Sequence, residues 1–140
     1  DVSKNPKLKR YDGNGLRLSC VPDLSHNPHL TQIHISGTGG AEFIDKDFFC
    51  SWPDLEGVNF CVYRGVEIDL SQNGKLREVW AGDMPNMKVL DLSASPYLQF
   101  ICINGSRVLE KVYVNDAVDI SRLRVEKTDD VTAVFEHKRL

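Results

Sequence analysis

A β-rich solenoid of about six short turns is the fold this sequence predicts, and three observations predict it. A phrase recurs: "DVSKNPKL" at Asp1, "DLSHNPHL" at Asp23, "IDLSQNGKL" at Ile68 and "DLSASPYL" at Asp91. The leucines closing these phrases, with two more lines that fill the series, are Leu8, Leu30, Leu55, Leu76, Leu98 and Leu123, at steps of 22, 25, 21, 22 and 25 residues. After most of these leucines, apolar residues stand at the third and fifth places. A period of roughly 20 to 50 residues marks stacked repeats, in which no unit can bury its apolar side alone.

The strand segments follow from that spacing. Ile33 and Ile35, Val58 and Phe60, Val79 and Ala81, and Ile101 and Ile103 keep the pattern. Tyr11 and Gly13 keep it weakly, and the line after Leu123 does not keep it. Alternate residues of an extended segment point to opposite sides, so these residues turn inward together. A second line of the same form lies midway through several repeats: Met87, Leu90 and Leu92, then Leu109, Val112 and Val114, with Val66 in the leucine place of "VEIDLS". Each turn therefore carries two short apolar segments.

The bends between segments are also written in the sequence. Asn5, Asn27 and Asn73 each lie two residues after the serine of "DxS", and Ser95 takes this place in the fourth phrase. A buried asparagine at a bend can bond backbone groups of its own turn and the next, meeting polar groups that a coil turning inward leaves unpaired. Proline at Pro6, Pro28 and Pro96 restrains the exit. A column of aspartates, Asp1, Asp23, Asp69, Asp91 and Asp119, accompanies the phrase. Stacked carboxylates repel, and the plain compensation is a local bond from each aspartate to its serine or a backbone N–H.

These LxxLxLxxN lines resemble the leucine-rich repeat family, over nearly the whole chain from Asp1 to about Arg122. The "LDLSxNPxLxxL" wording is similar to repeats common in surface and secreted proteins of gut Bacteroidetes. The resemblance implies a β-rich α/β solenoid, a right-handed superhelix, that works as a non-enzymatic binding module at a bacterial cell surface or outside the cell. The longer second repeat, "FIDKDFFCSWPDL" (Phe43 to Leu55), resembles leucine-rich repeats with a short helical turn on the convex side. The last segment, "VEKTDDVTAVFEHKRL", leaves the repeat. Its alternating Val131, Ala133 and Phe135 after a "TDD" turn signal predict a hairpin over the last turn's core. The expected organisation is one domain over residues 1–140, with repeats over about 1–122 and a capping segment over about 123–140.

Residues between the inward strand positions face outward and form the candidate binding surface. At the second place after each leucine they are Arg10, Gln32, Gly57, Glu78 and Phe100, and at the fourth Asp12, His34, Asn59, Trp80 and Cys102. Trp80 and Phe100 fall on adjacent turns beside Glu78 and Asn59. A tryptophan among polar groups is a common anchor for protein partners and also stacks on sugar rings; equally, it can fold against its neighbours and cover the core. A protein partner is the main expectation, a glycan the alternative, and a structural spacer within a larger surface protein a third.

Composition narrows the classes further. A net charge of −3 and pI near 5.8 give no reason to expect nucleic acid. No apolar run approaches the roughly 20 residues of a membrane span. The chain opens in mid-motif, the start expected of a mature or trimmed form whose targeting segment is missing. Cys20, Cys50, Cys61 and Cys102 share no CxxC spacing and read as buried free thiols. "DLSQNG" has the opening of a calcium loop but Trp80 at its twelfth place, where glutamate is needed. His26 and His29 lie in a turn with no partner ligands, and "GTGG" lacks the lysine of a phosphate loop. "NGS" at Asn104 has the form of a glycosylation acceptor, which matters only in a eukaryotic secretory setting. No catalytic, cofactor or metal-ligating residues are expected.

Overall fold

The computed structural model describes residues 1–139. Its strands are β1 (Arg10–Asp12), β2 (Gln32–His34), β3 (Gly57–Asn59), β4 (Glu78–Trp80), β5 (Val89–Leu92), β6 (Phe100–Cys102), β7 (Lys111–Asn115), β8 (Arg124–Glu126) and β9 (Val134–Lys138). They form a parallel β-solenoid with two walls. The first is a six-stranded sheet in the order β1-β2-β3-β4-β6-β8, the second a three-stranded sheet, β5-β7-β9. Every pairing is parallel, and the first wall aligns Tyr11, Ile33, Val58, Val79, Ile101 and Val125 in one row. Ile33, Val58, Val79 and Ile101 are fully buried, while Tyr11 and Val125 are half-buried in the end turns. The leucine row (Leu30, Leu55, Leu76, Leu98) and the row two residues beyond the strand centres (Ile35, Phe60, Ala81, Ile103) complete the core from this side. Met87, Leu90, Leu92, Leu109, Val112 and Val114 complete it from the other.

Three expectations need correction. The C-terminal segment is not a hairpin: β9 pairs in parallel with β7, extending the second wall by one more strand. Parallel neighbours need a long crossover rather than a tight turn, and β8 in the first wall lies within that crossover. The sixth turn is also in a different register. Phe100 pairs with Arg124, so Arg122 rather than Leu123 occupies the leucine place, and Val125 becomes the inward residue that the earlier alignment missed. Thirdly, the α/β part of the expected class is not seen, because the described residues contain no α-helix, although the short helical turn expected in the second repeat is present. The helical elements among them are two single 3-10 turns, Gly37–Gly39 and Phe48–Ser51, the latter within the long second repeat. The first brings Gly39 against Gly13, where a side chain would collide with the Gly13 carbonyl; this is the use of "GTGG".

Neighbouring turns are tied at one bend by a polar ladder. Asn27 Nδ2 donates to the carbonyls of Val2 and Asn5, at 3.0 and 2.8 Å. Trp52 Nε1 donates to the Asn27 carbonyl at 3.0 Å. Asn73 Nδ2 donates to the carbonyls of Phe49 and Trp52, both at 3.0 Å, and Ser95 Oγ to that of Asn73 at 2.7 Å. Each side chain reaches back to the preceding turn, not to its own and the next. Asn5, in the first turn, is exposed and contributes its carbonyl. Trp52 stands in the asparagine row: its indole N–H replaces the amide donor, and its ring fills the wider second repeat.

The opposite bend turns through a left-handed residue in five successive turns: Gly15, Gly37, Val62, Asp83 and Gly105, with φ of 82°, 56°, 70°, 51° and 71°. Glycine adopts this conformation without steric cost, whereas a β-branched residue is strained in it. The two walls differ in continuity. Among the described residues, no backbone hydrogen bond joins 65–72 to 87–94. The gap is bridged at its ends by Asn86 Nδ2 to the Arg64 carbonyl and Ser95 Oγ to the Asn73 carbonyl, both at 2.7 Å. Core contact persists beneath it, because Leu70, Leu90 and Leu92 are buried.

Two stability predictions follow from these bends. Asn73→Ala strips the donors from two buried carbonyls and is expected to cost about 2–4 kcal/mol, more than Ser95→Ala, which strips one; urea unfolding of the two variants measures the difference. Val62→Gly releases the strained bend and is expected to raise the urea midpoint, with a gain of about 1 kcal/mol.

Candidate functional site

The outward side of the first wall carries the residues expected there, in two rows set by the strand register. Arg10, Gln32, Gly57, Glu78, Phe100 and Arg124 form one row; Asp12, His34, Asn59, Trp80, Cys102 and Glu126 form the other. Arg124 and Glu126 are the members the sequence reading missed. Their signal was present: "RVE" has the charge pattern of "RYD" at Arg10–Asp12.

At the centre lies a run of rings. Trp80 packs on Phe100 with centroids 5.1 Å apart, and His34 packs on Trp80 at 5.3 Å. The Arg124 guanidinium covers the Phe100 ring at 4.9 Å and is itself held by Glu126 at 3.1 Å. Two candidates are therefore enclosed rather than presented: Phe100 and His34 are only 8 % and 6 % exposed. Trp80 remains half-exposed and Glu78 exposed. The tryptophan both covers the core and shows part of its ring to solvent. Strand β3 makes room for this arrangement. Gly57 has no side chain, and the Gln32 amide occupies the space a Cβ would fill. Gln32 Oε1 in turn meets His34 Nε2 at 3.0 Å. Asn59 is turned to the backbone, its Oδ1 accepting from Cys61 N at 3.1 Å.

The charges on this face are mostly neutralised in place. Arg10 pairs with Asp12 at 3.2 Å on the outermost strand, and Arg124 with Glu126 at the other end. Desolvation pushes the Asp12 carboxyl up, but hydrogen bonds accepted from the Asn14 N–H and from Arg10, with the nearby positive charge, together outweigh it and hold Asp12 below the usual carboxylate range. Among the described residues, Glu78 makes no ion pair. Burial pushes the His34 imidazole below its ordinary value, and Arg10 pushes the same way, against weaker pulls from Asp12 and Glu78. His34 is thus neutral near pH 7.

Other features have structural accounts. The aspartate column is bonded locally: Asp1, Asp23, Asp69, Asp91 and Asp119 each accept the backbone N–H of the serine two residues on, at 2.9–3.0 Å. Serine hydrogen bonds hold Asp23 and Asp69 below the usual carboxylate range. Asp47, Cys50 and Asp69 place possible metal-ligating atoms within 4.8 Å of one another. Burial and the adjacent carboxylates push the Cys50 thiol upward. All four cysteines are free, but only Cys102 is buried; Cys20 is exposed and the other two half-buried, which corrects the expectation of buried thiols. A cleft of about 500 Å³ lies where the second wall is open, lined by Glu67, Asp69, Asp91 and Lys138 among others. Among the described residues, no helix is long and apolar enough to cross a membrane. No protein-family model, curated protein or solved structure matches the chain.

The His34 environment makes a pH prediction. Its folded pKa lies below the unfolded one, so the unfolded chain takes up the proton first as pH falls. Its contribution to stability is complete above the ordinary histidine value of about 6.5 and is lost as pH drops through the folded value. Urea midpoints taken at about pH 7.5 and about pH 5 are expected to fall further for the parent than for His34→Gln.

Proposed function

We propose that this chain is a leucine-rich-repeat-like, non-enzymatic binding module, and that it meets a protein partner on the outward side of its first wall. The observation that carries the reading is the half-buried Trp80, packed between His34 and Phe100 in a six-strand face. A ring fixed before binding loses little freedom on contact, the property shared by interface anchors. The neutralised charge pairs at both ends of the face give it a polar rim around an aromatic centre, the usual anatomy of a protein interface. The repeat wording supports an extracellular or cell-surface setting.

The first experiment is a screen of the purified chain against extracellular-protein and glycan arrays, run beside Trp80→Ala. A protein hit lost in the variant is the expected result. A glycan hit lost in the variant, and competed by a monosaccharide, would replace the protein partner with a sugar. Hits that survive the substitution would move the site off this face.

A further inference from the structure

We infer that the partner presents an arginine or lysine side chain to the Trp80–Glu78 corner of this face; the inference rests on the protein-binding reading above. The face shows its own preference through Arg124. That guanidinium lies 4.9 Å over the Phe100 ring and is fixed at 3.1 Å by the Glu126 carboxylate, a ring and an acid together holding one cation. One strand over, the same two components recur. Trp80 offers the part of its ring left open by His34 and Phe100, and Glu78 stands two residues before it on the same side of β4, about 7 Å along the strand. Glu78 is also the register partner of Phe100, so both acids flank the same ring system.

The charge balance of the face points the same way. Arg10 cancels Asp12 and Arg124 cancels Glu126, while His34 is neutral. Asn59 is uncharged and has its carbonyl oxygen committed to Cys61 N. What remains at the centre is one carboxylate beside one half-exposed indole. Tryptophan is the best of the aromatic rings for holding a cation at its face, and an adjacent carboxylate adds charge attraction and a hydrogen-bond acceptor. An acidic or purely apolar partner side chain would leave Glu78 either repelled or desolvated without compensation. A guanidinium suits the corner better than an ammonium, because its planar fork can meet the open part of the indole and the carboxylate together.

The test uses the whole chain and defined probes. Two blocked tripeptides, Gly-Arg-Gly and its neutral isostere Gly-citrulline-Gly, are titrated while the indole N–H resonances are followed by NMR. Trp52, whose indole N–H is bonded to the Asn27 carbonyl in the interior, is the internal control. The expected result is a saturable shift of Trp80 and not of Trp52 with the arginine peptide. Binding should be weakened about fivefold by the change to citrulline and by Glu78→Gln, and also by added salt. Equal binding of both peptides, unchanged affinity in Glu78→Gln, or no shift of Trp80 would overturn the inference. The array screen separates this failure from the broader one. Protein hits lost in Trp80→Ala but kept in Glu78→Gln would discard the cationic side chain and leave the face in place. Hits kept in both variants would discard the face itself.

Discussion

A turn of a β-solenoid cannot satisfy its own backbone at the bends, and the rest of this structure depends on how that demand is met. Strands bond sideways to their neighbours, but the carbonyls at a bend point into the core. Asn27, Trp52, Asn73 and Ser95 answer them in sequence, each donating to the turn before. The stacking distance is then held from two directions, by strand pairing on the wall and by the ladder at the corner. With the spacing fixed, the leucine, valine and isoleucine rows meet at van der Waals contact, and the outward rows fall into register. The position of Trp80 between His34 and Phe100 is a late consequence of that spacing.

The features legible in the sequence were those repeated in it. Strand centres such as Ile33, Val58, Val79 and Ile101 recur with the leucines, and the structure places them as one buried row. The aspartate–serine turns were equally readable, because the bond is local to three residues. The unread features are those where one turn solves the shared problem with different chemistry. Trp52 does the work of an asparagine with an indole N–H, and no residue pattern links the two. Val62 and Asp83 occupy a left-handed row otherwise held by glycine. The last turn has Arg122 in the leucine place, which displaced the alignment by one residue and hid Arg124 and Glu126.

The face itself was half legible. Its membership followed from alternation, so Gln32, His34, Asn59, Glu78, Trp80 and Phe100 lie on the outward side as the spacing requires. Exposure did not follow. Alternation says which side of a strand a residue takes, whereas burial on that side depends on how large its neighbours are. Gly57 opens a space, Gln32 and the rings fill it, and His34 and Phe100 pass from surface to interior without leaving the outward rows. The ion pairs at the two ends are exposed and contribute little stability. They leave the edge strands β1 and β8 charged on their open sides, an arrangement that discourages edge-to-edge pairing.

The interruption of the second wall has a consequence for cooperativity. In a linear array, stability is the sum of each unit's own folding and its coupling to the next, and every coupling is a place where a folded segment can end. Between the third and fourth turns the coupling is carried by the first wall, the core leucines and two side-chain bonds at the margins of the gap. Between the fourth and fifth turns a second ladder of backbone bonds is added through β5 and β7. The turns from the fourth onward are therefore coupled through both walls and those before them mainly through the first, so partial opening spares the C-terminal block longest.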